Sequence, residues 1–392
     1  MTDGNRWPSS PAGEGGAYWA GERGGIPRST RPDWVDPLAG FWHVASDGDL
    51  VIVKGDGRET FAWSLATGEL AWRTGKLPGN STGFVVLADD QVLAGDVVLD
   101  RATGESLRDL KTLFGPEPLY RYPRNLAAEG GFLRDIRHAG DTIEAGWVGF
   151  DGRIRTMPIP ARPALVDASG RLVIGTGRGS DIHGFEVETG KTVWRHELPW
   201  PDPAKKVIGG LCRVANRLYV LYMGASVRCL DVSSGEELWD WQESDVPDAW
   251  HPDYCGENVR CDFLAACGDR VYVGRNRHAS QAGQIRVHEA GSGEVESVWE
   301  LETGIVRGCL AGDLLFTLEP DKMYRDERPV ARDRYTGDIV WRAAQTFDHA
   351  VAIVSAGDRV LYSGSDSVIQ CFAWNAPYRS PARPAGQGHT TV

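Results

Sequence analysis

HGFEVETGKTVWR (183–195) is the segment whose reading decides the fold. It runs as a short apolar strand, a Thr189-Gly190 turn, and a second strand holding Trp194 four residues past the glycine. The same shape recurs as FAWSLATGELAWR (61–73), VVLDRATGESLRD (97–109), RCLDVSSGEELWD (228–240), RVHEAGSGEVESVWE (286–300) and ARDRYTGDIVWR (331–342). The interval between Gly104 and Gly190 is about twice the others, and a degenerate copy, TIEAGWVGFDGRIRTMPI (142–159), fills it. A partial copy, DRVLYSGSDSVIQCFAWN (358–375), ends the series at eight units.

Each unit also has an apolar strand pair upstream, such as NRLYVLYMG (216–224) or DRVYVGRN (269–276). Four short strands repeating at about 40 residues are the signature of a propeller blade. The expected fold is therefore all-β: an eight-bladed β-propeller of four-stranded antiparallel blades, with seven blades as the alternative. The last unit lacks a strand after FAWN, and a closed ring leaves no free edge. The stretch RPDWVDPL (31–38) is expected to supply that outer strand. The expected organisation is a flexible segment 1–30, one propeller domain 31–376, and a flexible tail 377–392 rich in Pro, Gly and Ser.

The turn residues have a mechanism. Glycine takes the positive φ of a tight strand connection. The preceding Thr or Ser folds its hydroxyl back onto the local backbone. Trp72, Trp194, Trp239 and Trp341 share one offset from their glycines, so each ring can wedge against the next blade. An indole buried there contributes apolar area and needs a partner for its N–H.

The pattern apolar-x-apolar-Asp-x-x-Thr-Gly-Lys/Glu-x-x-Trp-Arg resembles the repeat of the quinoprotein-like (PQQ-like repeat) β-propeller family. FEVETGKTVWR and LDVSSGEELWD carry the resemblance best. In VVLDRATGESLRD, Leu107 or Arg108 stands in for the tryptophan. The resemblance spans residues 41–375 and implies a fold rather than an activity. Quinone-dependent members resemble one another in a pair of adjacent cysteines, and this sequence has no Cys-Cys. The expected relative is a non-quinone one with no cofactor.

Composition narrows the function further. The formal charge is −12, which argues against nucleic acid. No run of about 18 apolar residues points to a membrane span. The N-terminus lacks a basic region followed by an apolar core, so a cytoplasmic, monomeric protein is expected. The Arg-, Gly-, Ala- and Asp-rich composition suggests a bacterial source. Seven cysteines without a CxxC read as buried reduced thiols. His251, Cys255 and Cys261 match no zinc spacing, so no metal is expected.

In a propeller the long loops gather on the rim opposite the Thr-Gly turns. Here these are 111–131, 196–210, 242–260, 274–284 and 319–330. They collect cations and aromatics on an acidic body, a combination that attracts an anionic small molecule or an acidic protein segment. The candidate ligand-binding residues are Arg121, Arg124, Trp250, Asp253, Tyr254, Arg260, Arg275 and His349. His251, His278 and Glu257 are the candidate catalytic residues, because a histidine beside a carboxylate can act as an oriented base. Two readings follow: a binding scaffold, or an enzyme such as a lyase, cyclase or hydrolase acting at the rim.

Overall fold

The computed structural model describes residues 18–19, 27–29, 31, 34–37, 41–55, 58–78, 85–88, 90–114, 125–139, 142–177, 181–198, 208–222, 226–242, 263–276, 283–303, 307–320, 326–344, 346–348, 350–356, 358–364, 368–374 and 377–382. Two compact units share the chain. One comprises Leu38–Ile208 with Asp231–Glu236; the other comprises Ala12–Pro37, Gly209–Leu230 and Glu237–Val392.

The first unit holds four antiparallel sheets. The first sheet is built from Phe41–Ser46, Leu50–Gly55, Thr60–Ser64 and Leu70–Arg73. The second is Val85–Ala88, Gln91–Ala94, Val97–Asp100 and Ser106–Asp109. The third is Asn125–Ala128, Gly131–Ala139, Thr142–Gly149 and Ile154–Ile159. The fourth is Arg162–Val166, Leu172–Thr176, Asp181–Glu186 and Thr192–Glu197.

The second unit carries the later sheets. The fifth is Ile208–Val214, Arg217–Tyr222, Ser226–Asp231 and Glu237–Trp241. The sixth is Phe263–Cys267, Arg270–Asn276, Gly283–Glu289 and Val295–Glu300. The seventh is built on Arg307–Ala311, Leu314–Pro320, Asp326–Asp333 and Ile339–Arg342. The eighth has Ala350–Ala356, Arg359–Gly364 and Val368–Ala373, and its outer strand is Trp34–Pro37, antiparallel to the last of these with Trp34 opposite Cys371.

Among the described residues, then, seven sheets have four antiparallel strands and one, the seventh, has six. The expectation of eight uniform four-stranded blades is corrected at that sheet. Tyr18–Trp19 pairs parallel to its first strand, and Phe347–Asp348 pairs with its third. Neither addition carries a readable pattern, since a two-residue strand has no alternation. The C-terminal stretch also packs on this sheet: Tyr378 donates its hydroxyl to Asp333 Oδ2 (2.7 Å), and the buried Ser380 gives its backbone N–H to Asp313 Oδ2 (3.0 Å).

Burial follows position in the sheet. The strand Phe263–Cys267 is buried at every residue, whereas the outer strand Thr192–Glu197 turns Trp194 inward and leaves most of the others exposed. Strands covered on both faces read as continuous apolar runs, and half-covered ones alternate. The hydrophobic clusters lie between successive sheets. Ile52 and Trp72 pack with Val92 and Leu99, Leu133 with Val173 and Phe185, and Phe316 and Trp341 with Tyr362 and Phe372. Cys212, Cys229, Cys267, Cys309 and Cys371 are buried free thiols inside this packing; Cys255 and Cys261 lie outside the described residues.

The third-to-fourth-strand turns are closed on themselves. Asp231 Oδ1 accepts the N–H groups of Ser233 (2.9 Å) and Ser234 (3.0 Å), and Ser234 Oγ accepts the N–H of Glu236 (3.2 Å). Gly235, at φ 70°, gives its N–H to the Asp231 carbonyl (2.8 Å). Asp100 and Asp333 organise their turns in the same way.

One carbonyl per turn, in most copies that of the residue after the acid, is bonded by the sheet before it. Trp72 Nε1 donates to Arg101 O (2.8 Å), Trp194 Nε1 to Val232 O (2.8 Å) and Trp239 Nε1 to Ala290 O (3.0 Å). Where the tryptophan is missing, arginine makes the bond: Arg108 Nη2 to Phe150 O (3.2 Å) and Arg155 Nη2 to Val187 O (3.4 Å). The degenerate copies thus keep the junction's hydrogen bond after losing its ring.

Candidate functional site

Antiparallel order gives each sheet two ends. One end holds the self-closed turns just described. The other holds the second-to-third-strand turns and the connections between sheets, and there buried charge collects.

In the first unit this charge forms a chain across four sheets. Lys54 lies near the end of the second strand of the first sheet, and Asp96 in the turn after the second strand of the second. Arg134 and Asp135 are adjacent in the third sheet, and Arg162 opens the fourth. Successive strand residues point to opposite faces. Arg134 therefore turns back toward the second sheet, where it pairs with Asp96 and donates from Nη1 to Gly95 O (2.5 Å). Asp135 turns forward and takes Arg162 Nε at 2.8 Å. The signs alternate along the row, and Lys54, Asp96, Arg134 and Asp135 are all buried. Each carboxylate is placed between or beside cations, the arrangement that lets buried charge persist.

Lys54 is the strained member of the row. Burial pushes its ammonium down from 10.5 to about 8; Asp96 opposes the shift, and Arg134 and Arg58 add to it. The folded chain thus releases this proton earlier than the unfolded chain. Between about 8 and 10.5 the unfolded state binds more protons, so stability rises with pH across that window. The gain is complete above 10.5 and is lost as pH falls through about 8. Its size is about 3 kcal/mol. Lys54→Met is expected to remove the step, so the difference in unfolding free energy between parent and variant changes by that amount between neutral pH and the top of the window. A pH-independent difference would contradict the assignment.

At this end the second unit has separate clusters, each within one sheet, whereas at the self-closed end the buried Arg334 of the seventh sheet bonds Cys267 Sγ of the sixth. In the fifth, Asp240 accepts from Tyr222 Oη (2.5 Å), Arg228 Nη2 (2.8 Å) and Gln242 Nε2 (2.8 Å). Burial opposes ionisation of Asp240, but these hydrogen bonds outweigh it and hold the carboxyl below its ordinary range. In the seventh, Glu319 Oε1 accepts from Arg332 Nη2 (2.7 Å), Arg332 Nε (2.9 Å) and Thr317 Oγ1 (3.0 Å). In the sixth, Gln284 Nε2 donates to Glu300 Oε1 (2.8 Å). These groups hold one another. Among the described residues, no group of three or more His, Cys, Asp or Glu is disposed to ligate a metal.

Of the residues singled out in the sequence, Arg275 lies in the strand Arg270–Asn276, with its backbone opposite Gln284. Arg121, Arg124, Trp250, His251, Asp253, Tyr254, Glu257, Arg260, His278 and His349 lie outside the described residues. The charged row has no repeat to mark it in the sequence. Its signal is a charge interrupting an apolar run, as in VIVKG, VLAGDVV and above all FLRDI, where Arg and Asp sit side by side mid-strand.

Residues 159–295 match the family model described as outer membrane protein assembly factor BamB. No curated protein matches the chain. Among solved structures, BamB from Moraxella catarrhalis is similar at 15% identity and TM-score 0.60, over 89% of this chain and 99% of that one. The computationally designed Ika8 protein is similar at 12% identity and TM-score 0.61, over 90% of this chain and 99% of that one. Saccharomyces cerevisiae Sqt1 is similar at 9% identity and TM-score 0.62, over 92% and 100%. At such identities the likeness is one of fold. The fold is that of a β-propeller, and the PQQ-like repeat is matched over residues 159–295.

Proposed function

We propose that the chain is a binding scaffold that holds an anionic ligand, an acidic protein segment above all, through the loops joining its sheets. The observation that carries this reading is the difference between the two ends of the sheets. One end repeats the same self-closed turn. The other is joined by segments of unequal length, among which RYPR (121–124) and RNRH (275–278) bring cations and aromatics, while the long 242–262 mixes Trp250, His251, Tyr254 and Arg260 with six carboxylates. Loops of that kind on a rigid support are where binding surfaces are built. The buried cations Lys54, Arg134, Arg228 and Arg332 are already matched to carboxylates, so the charge for an anion comes from loop residues such as Arg121, Arg124 and Arg260, with Arg275 near the end of its strand. The assembly role in the name of the matching family model is consistent with a scaffold.

The test is a titration of the whole protein with a fluorescent acidic peptide, followed by anisotropy at two salt concentrations. Combined reversal, Arg121→Glu, Arg124→Glu and Arg275→Glu, is expected to weaken binding at least about tenfold while leaving the melting temperature in place. Unchanged affinity would overturn the reading. A turnover abolished by His251→Ala or Arg260→Ala, with peptide binding unaffected by the reversals, would replace it with the catalytic one.

A further inference from the structure

The seventh sheet departs from the repeat by gaining a strand on an edge that is bare in the others. Tyr18–Trp19 runs parallel to Arg307–Ala311, with Tyr18 opposite Cys309 and Trp19 opposite Leu310. Among the described residues, the first strand of every other sheet has no strand on that side. Cys309 and Leu310 are fully buried, and they face different cores. Cys309 packs with Phe316, Tyr362 and Phe372, and Leu310 with Phe263 and Leu315. The side chains of this strand are therefore committed to neighbouring sheets. What remains for an added strand is the row of backbone N–H and C=O groups. Recognition of that kind is strand addition, in which the main chain supplies the affinity.

The strand that fills the edge comes from GEGGAYWAGERGG (13–25), two aromatics set between small residues. A few residues later the chain is pinned. Pro27 bridges to Trp374, Arg28 N donates to Ala373 O (2.9 Å), and Ser29 O accepts from Trp341 Nε1 (3.0 Å). Seven residues of sequence, 20–26, separate the strand from this fixed point.

We propose that the inner edge of Arg307–Ala311 is a peptide-accepting site, filled in the resting chain by its own Tyr18–Trp19 and open to exchange with an extended segment of the same chemistry, aromatic residues flanked by glycine or alanine. It uses none of the loop cations and stands apart from the loop reading. A short tether holds the resident strand at an effective concentration of about a millimolar, so a free peptide enters only when that strand is disabled or its tether lengthened.

The experiment uses the full chain and a fluorescein-labelled peptide of residues 13–25. In one variant, Tyr18→Pro with Trp19→Pro, proline removes the ladder donors. This variant is expected to bind the peptide at least about tenfold more tightly than the parent. Its backbone amides across 307–311 are expected to exchange at least about tenfold faster, and added peptide to slow them again. In a second variant, which keeps every contact, a Gly-Ser insertion after Glu22 about triples the tether and is expected to raise peptide affinity about fivefold. Equal exchange across 307–311 in parent and proline variant would overturn the proposal. So would peptide affinity that is the same in all three chains, including no binding to any.

Discussion

Trp194→Ala is expected to lower the unfolding free energy by about 4 kcal/mol, read as a shift in the denaturant midpoint. The ring is buried, and its Nε1 donates to Val232 O at 2.8 Å. Removing it opens a cavity and leaves that carbonyl without its donor. The indole also lies between two glycines. Gly184 is opposite it in its own sheet, and a Cβ on Gly235 of the next turn would stand 2.5 Å from the ring. Gly235→Ala therefore meets both the ring and a φ of 70°, and about 1–2 kcal/mol of its cost is backbone strain. In the Trp194→Ala background only the backbone part remains, so the two losses are expected to be less than additive by at least about 1 kcal/mol. Trp194→Phe is expected to fall between parent and Ala. Additive losses, or an Ala variant within about 1 kcal/mol of the parent, would mean that the ring does not join the sheets.

This junction was legible in the sequence because it repeats. Glycine and tryptophan keep one offset through four copies; at Trp72, Trp194 and Trp239 the next turn supplies a positive φ, no Cβ under the ring and a carbonyl for the indole, whereas Trp341 gives its N–H to Ser29 O. The same rule explains what the sequence hid. Arg108 stands at the tryptophan position of a recognised copy and makes the tryptophan's hydrogen bond, a role that the residue type alone does not announce. Tyr18–Trp19 is too short to show strand alternation, and its partner is nearly three hundred positions away. The row from Lys54 to Arg162 does not repeat at all. Each of its members occupies a different place in its own sheet, and only the third dimension brings them into line. The loop residues Arg121, Arg124, Trp250 and Arg260 share a chemistry but no spacing that would fix their neighbours.

Within that row the largest effect is expected from Asp96→Asn, a loss of about 3–5 kcal/mol. The substitution keeps the shape of the side chain and removes its charge. Asp96 is 4% exposed, pairs with Arg134, and is the anion that holds the Lys54 ammonium up against burial. Without it, two cations share one buried neighbourhood, and the attraction that offset their desolvation is gone. The cheapest relief is to shed the Lys54 proton. Its release is therefore expected at a still lower pH than about 8, and the cost of the substitution should shrink as pH rises. The same logic makes Lys54→Met a partial rescue. In the Asp96→Asn background, where it removes one of two uncompensated charges, it is expected to recover at least about 1 kcal/mol more than it yields in the parent. A cycle that closes additively, or a cost that does not change with pH, would show that Lys54 and Asp96 do not share an environment. The alternation of charge from the first sheet to the fourth would then break at its first link, leaving Arg134–Asp96 and Arg162–Asp135 as two isolated pairs.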